Sequence, residues 1–192
     1  MSTDSDIIRR TLERPAEFAQ LYDRHAPAIH RFAARRAGPD VAEDLVSETF
    51  TVAFERRTAY DLDRADALPW LYGIVTTLLK RHRRIEARLW ASARADPTAL
   101  VTEHDHEALE AELAVRRLRS AIQRMPARDR DVLLLYAWAD LDYEGVALAL
   151  DVPVGTVRSR LNRARRTLRA AAGRDAAQEV EHGRVDTAPV RS

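Results

Sequence analysis

The amino-acid sequence predicts an all-α protein: two small helical domains joined by a flexible acidic linker, the C-terminal one containing a helix-turn-helix. Three observations carry this expectation. Apolar residues recur at helical spacing along most of the 192 residues, strand-like alternation is nearly absent, and only six glycines punctuate the chain. Between positions 89 and 107 the sequence turns small, polar and acidic, as interdomain tethers do. Towards the C-terminal end, two short helical patterns flank Asp151-Val152-Pro153, and the second is sheathed in arginine.

Helices are expected over 16–37 (with a break at Pro27), 41–57, 69–88, 108–124, 126–139, 142–150 and 154–172. They divide into a domain over 15–89, an acidic linker over 90–108 and a second domain over 109–173. The tail over 174–192 has little apolar content and no period, so it is expected to be disordered.

Helix 41–57 carries a capping-box signature in Asp40 and Glu43 and a core stripe of Ala42, Leu45, Val46, Thr49, Phe50, Ala53 and Phe54. Its opposite face, Asp44, Ser47, Glu48, Thr51 and Glu55, is suited to a basic partner helix, although such a face standing alone is ordinarily a solvated surface. Helix 69–88 should bury Leu71, Ile74, Val75, Leu78 and Ile85 and expose Gly73, Thr76, Thr77, Lys80, Arg83, Arg84 and Arg88. Trp70 and Tyr72, with Tyr60 upstream, are candidate stacking surfaces for unpaired bases beside a cationic track, though a tryptophan so placed is more often a core anchor. The polar loop over 61–68 offers the rim of a pocket for an extruded base.

In the helix-turn-helix, Tyr143, Val146, Ala147 and Leu150 share one face, Asp142 is placed to cap, Asp151 suits a left-handed turn, and Pro153 stops the first helix. The second helix has a buried stripe of Val157, Leu161, Ala164 and Leu168, leaving Gly155, Arg158, Ser159, Asn162, Arg163, Arg166 and Arg169 outside it. Arg158, Asn162 and Arg163 stand at i, i+4 and i+5 and so share a face. Arginine can bond guanine bidentately there, and asparagine can do the same for adenine.

Composition removes several function classes. With no cysteine there is no disulfide framework, thiol switch or cysteine metal site. No apolar run reaches bilayer length and the N-terminus lacks the parts of a signal peptide, so membrane insertion is not expected and the location expected is cytoplasmic. His104 and His106, beside Glu103 and Glu107, superficially resemble a metal cluster but lack rigid helical spacing, and no phosphate loop, nucleophile motif or carboxylate dyad appears. No enzyme, metal or cofactor is therefore expected. The formal net charge of +1 conceals a partition: 91–110 carries 1 basic and 5 acidic residues, whereas 111–173 carries 12 and 7, a net +5. Such a partition is the pattern expected when one part of the chain must approach polyphosphate.

Taken in order, these motifs resemble the extracytoplasmic-function (ECF) group of bacterial RNA polymerase sigma factors over roughly positions 18–172. Ala42-Glu-Asp-Leu-Val-Ser-Glu-Thr-Phe50 is similar to the family's polymerase-binding helix, Trp70 to Arg84 to its minus-ten segment, and Pro153 to Arg165 to its minus-thirty-five reader. The resemblance implies core RNA polymerase and promoter DNA as partners, with an anti-sigma factor as a further candidate. It assigns Asp44, Ser47 and Glu48 to the polymerase, and Tyr60, Trp70, Tyr72, Thr77, Lys80, Arg83 and Arg84 to the minus-ten element. Thr156, Arg158, Ser159, Asn162, Arg163 and Arg166 fall to the minus-thirty-five element. Ser47, Phe54, Thr77, Gly145 and Asp151 stand where the family usually has glutamine, tryptophan, asparagine, glutamate and glycine. Two other readings compete: a stand-alone helix-turn-helix regulator binding operator DNA as a dimer, and a helical metal-dependent hydrolase using the histidines.

Overall fold

The structure is a computed structural model that describes residues 2–92 and 106–182, and among these every regular element is helical. The all-α expectation is met. The chain clusters into two compact units, Met1–Pro97 with Leu134–Arg158, and Thr98–Leu133 with Ser159–Ser192. The central part of the expected linker (93–105, with His104) and positions 183–192 of the tail lie outside the described residues.

The first unit opens with a helix that apolar periodicity does not announce, α1 (Asp4–Thr11). Its signal is a capping box: the Thr3 hydroxyl accepts from the Asp6 N–H while the Asp6 carboxylate accepts from the Thr3 N–H. Ile7 and Ile8 are fully buried, each contributing roughly 2 kcal/mol of apolar burial. A single 3-10 turn, Pro15–Phe18, leads into α2 (Ala19–Ala37).

Pro27 does not break α2. It sits on the exposed face, so the Asp23 carbonyl that loses its helical donor can turn to water, while Leu21, Ala26, Ile29, Phe32 and Ala33 hold the helix to the core on both sides. Helix α2 ends at Gly38, whose φ of 90° is open to glycine, and Pro39 then occupies the first position of α3 (Pro39–Glu55). The expected Asp40–Glu43 capping box is therefore not the start of α3; the helix begins at Pro39 with no side-chain cap. The stripe Ala42, Leu45, Val46, Thr49, Phe50 and Ala53 is buried as expected, and Phe54 is half-buried.

Helices α2, α3 and α4 (Leu68–Ser92) pack on one another, with α1 against α2. Phe18 meets Phe50 and Phe54 edge to face, and Phe32 meets Tyr72 in the same way at 5.1 Å. The same unit includes α7 (Tyr143–Leu150), which packs on α4. A Cβ at Gly73 of α4 would lie 2.5 Å from the Ala149 carbonyl oxygen, so this contact requires glycine.

The second unit takes α5 (His106–Arg124), most of α6 (Ala127–Trp138) and α8 (Val154–His182) from Ser159 on. It buries Ala121, Met125, Val132, Leu133, Leu161, Ala164 and Ala171. Helix α8 continues ten residues beyond 172, through a stretch counted as disordered tail. Ala176, Ala177, Gln178 and Glu179 are strong helix formers, and adding residues to a helix already nucleated costs little.

Candidate nucleic-acid interface

Asp44, Ser47, Glu48, Thr51 and Glu55 are all exposed on α3, opposite its buried stripe. Glu48 pairs with Arg81 of α4 at 2.9 Å, but both side chains are well exposed, and such surface pairs contribute at most about 1 kcal/mol. The acidic face is therefore available to a stronger basic partner.

On α4 the structure separates residues that the sequence grouped. Tyr72 is 3% exposed and belongs to the stripe of Leu71, Val75 and Leu79, its ring against Phe32. Tyr60 is 7% exposed, lies tilted against Trp70 at 5.1 Å, and donates its hydroxyl to the Arg64 carbonyl at 2.8 Å. Burial, with Asp4 and Asp66 nearby, pushes the Tyr60 phenol well above its usual range. Both rings are core in this structure; of the three expected stacking aromatics only Trp70 is not buried, being half-buried with its ring against Tyr60. The physical reason is rotation: the period that points Val75 and Leu79 inward also points Tyr72 inward. Thr76, expected outside, is likewise buried. Thr77, Lys80 and Arg84 are exposed, and Arg83 is half-buried with its guanidinium donating to the Arg36 carbonyl at 3.4 Å. Gly73 lies beneath the end of α7, and the side chain of Arg88 lies outside the described set.

The cap and the turn of the helix-turn-helix segment form as the sequence implies, while Tyr143, Leu150 and Leu168 are only half-buried. Asp142 caps α7 by accepting from the Gly145 N–H at 2.7 Å, and a Cβ at Gly145 would stand 3.1 Å from that same carboxylate oxygen. Asp151 takes the left-handed conformation (φ 50°, ψ 57°) that ends α7, and Pro153 precedes α8. On α8, Arg158, Ser159, Asn162 and Arg166 are exposed and Thr156 is half-buried. The Arg158 guanidinium stands 5.9 Å from the Tyr143 ring, at the outer limit of a cation–π contact.

Arg163 is differently placed. Its guanidinium forks onto the buried carboxylate of Asp129 on α6, with Nε–Oδ2 3.1 Å and Nη2–Oδ1 2.9 Å. Those hydrogen bonds raise the guanidinium's already high pKa. Arg163 thus neutralises a buried acid and, in this arrangement, does not offer its fork to a base. Asp129 is the partner that sequence reasoning missed, and nothing local advertises it.

Another acidic group has metal-like spacing: ligand atoms of Asp4, His25 and Asp66 lie within 4.8 Å of one another. The Asp4 oxygens, however, already accept from Arg24 and the Ala67 N–H, with His25 Nε2 at 2.7 Å, and an arginine there repels a cation.

Two family models match this chain in the order of its motifs, "Sigma-70 region 2" over residues 21–89 and "Sigma-70, region 4" over 115–168. It is also 31% identical over 160 residues to the ECF RNA polymerase sigma factor EcfG of Rhodopseudomonas palustris, covering 80% of this chain and 83% of that one. The chain belongs to the ECF group of RNA polymerase sigma factors. As an ECF sigma factor it binds core RNA polymerase and directs transcription initiation at promoters; the stand-alone regulator is not favoured. The ECF factor SigW of Bacillus subtilis is 27% identical over 164 residues, covering 79% of this chain and 87% of SigW. Among solved structures, CnrH in complex with the cytosolic domain of CnrY matches with TM-score 0.64 at 22% identity, covering 90% of this chain and 98% of CnrH. That likeness concerns the fold. No helix among the described residues is long and apolar enough to cross a membrane.

Proposed function

We propose that this ECF sigma factor docks on core RNA polymerase through Asp44, Ser47 and Glu48, reads the upstream promoter element with the exposed face of α8, and holds the melted minus-ten strand along α4. The observation that carries the reading is α8 itself: Arg158, Ser159, Asn162 and Arg166 stand exposed on a helix whose other face is buried, behind a capped helix and a left-handed turn. Arg158 and Asn162 are the base-reading pair, whereas Thr156, Ser159 and Arg166 suit phosphate positioning. On α4, Trp70 supplies the stacking face and Thr77, Lys80, Arg83 and Arg84 the polar and cationic track, with the loop over 61–67 as the rim that receives an extruded base. Tyr60 and Tyr72 support these groups from behind.

The chain performs no chemical step of its own in this reading, and it acts in the cytoplasm, where polymerase and chromosome meet. An anti-sigma partner is part of the proposal: the fold neighbours CnrH and RpoE were solved bound to CnrY and to the anti-sigma factor NepR.

The test is transcription by sigma-free core polymerase on a genomic promoter library, with charge reversal at Asp44 and Glu48. Promoter-specific transcripts are expected from the wild type, and weakened core binding with an unchanged circular dichroism spectrum from the variant. Unchanged core affinity in a folded variant would remove the docking assignment.

A further inference from the structure

Asp4, the first residue of α1, is 3% exposed, and its amide and both carboxylate oxygens are all engaged. Its main-chain N–H donates to the Ala65 carbonyl at 3.0 Å, and one carboxylate oxygen accepts from the Ala67 N–H at 2.9 Å. That oxygen also meets His25 Nε2 at 2.7 Å, while the other accepts from Arg24. One residue thus grips the chain on both sides of Asp66, across 63 positions of sequence. Ala67 is fully buried and its N–H lies just ahead of α4, where no helical carbonyl can serve it; Asp4 supplies the missing acceptor. The upstream part of the same loop is tied by the Tyr60 hydroxyl to the Arg64 carbonyl and by Arg64 to Asp61 at 2.8 Å.

We propose that Asp4 is a positioning residue for minus-ten recognition: by holding Ala65 and Ala67 it sets the loop over 61–67, and with it the start of α4 and Trp70, in the geometry that receives an extruded base. The inference rests on the minus-ten role given to α4 above. It extends the promoter-reading apparatus to α1, a helix upstream of the segment that the region 2 model matches, and makes that helix more than a cover for the core.

The experiment uses the full chain with core polymerase and measures open-complex formation on promoters differing at single minus-ten bases. Each variant is scored by the ratio of its rates on preferred and substituted bases, so the active fraction cancels. For Asp4→Ala, discrimination at one minus-ten position is expected to fall about tenfold, the scale of one lost base contact, while core affinity and minus-thirty-five preference keep their wild-type values. Asp4→Leu, close in shape but with no acceptor for the Ala67 N–H, carries the test where Asp4→Ala lowers the folded yield. Ile8→Ala empties a fully buried position on the same helix and should lower thermal stability without moving the ratio. Wild-type ratios in both Asp4 variants, or an equal loss in Ile8→Ala, would overturn the inference. A wild-type protein that initiates nowhere would instead refute the minus-ten reading on which it rests.

Discussion

Gly73→Ala is a substitution whose sign, more than its size, tests the packing of α7 on α4. Two terms oppose each other. Within a helix, alanine is favoured over glycine by roughly 0.8–1.0 kcal/mol, so an unencumbered α4 would gain stability. In the structure, however, the new Cβ would lie 2.5 Å from the Ala149 carbonyl oxygen, 3.3 Å from its carbon and 3.4 Å from its Cα. These are main-chain atoms at the end of a helix, with no rotamer to swing aside. Relieving the clash means moving α7 by nearly an ångström, and overpacking of this kind typically costs about 1–3 kcal/mol. Subtracting the propensity gain leaves a net destabilisation of about 1 kcal/mol. Thermal unfolding of the full chain, followed by circular dichroism, should therefore show a lower Tm for Gly73→Ala. A Tm equal to or above wild type would mean that α7 does not rest on Gly73 in solution, and the argument from close approach would be wrong.

Other expectations follow from the same geometry. Replacing Arg158 or Asn162 by alanine should cost about 1–3 kcal/mol of discrimination and relax preference at one position of the upstream element, measured by competition binding across a promoter library; a uniform loss would make them phosphate contacts. Arg163→Ala should lower thermal stability by leaving the Asp129 carboxylate buried without its partner, and should weaken promoter binding evenly; a preference lost at a single base pair would restore it to direct reading. Acid titration should expose Asp4. Burial alone would raise its pKa, but hydrogen bonds from His25, the Ala67 N–H and Arg24 hold it down at about 2, against 3.8 ordinarily. Because the folded value is depressed, the stabilisation, about 2 kcal/mol, is fully present above pH 3.8 and fades as pH falls through about 2. Asp4→Asn should be less stable at neutral pH and lose less on acidification, read by urea midpoints at successive pH values.

Local periodicity and local turn chemistry are the part of this fold that is legible in the amino-acid order. The apolar spacing of Leu45, Val46, Thr49 and Phe50 oriented α3 and so exposed its acidic face; Asp142, Asp151 and Pro153 defined the helix-turn-helix; and the arginines of α8 marked the nucleic-acid partner. These signals are legible because a helix relates residues three and four apart whatever lies elsewhere in the chain. The Thr3–Asp6 capping box that announces α1 is legible too, although a helix of only eight residues leaves little periodicity beside it. Contacts between partners distant in sequence become visible only in the folded chain. Pro27 stays inside α2 because buried residues on both sides hold the helix. Arg163 is committed to Asp129, 34 residues away, and Asp4 reaches across 63 residues to the loop ahead of α4. No pattern within a window shows such pairs, because a buried charge or an orphaned N–H is satisfied by whatever the fold brings beside it.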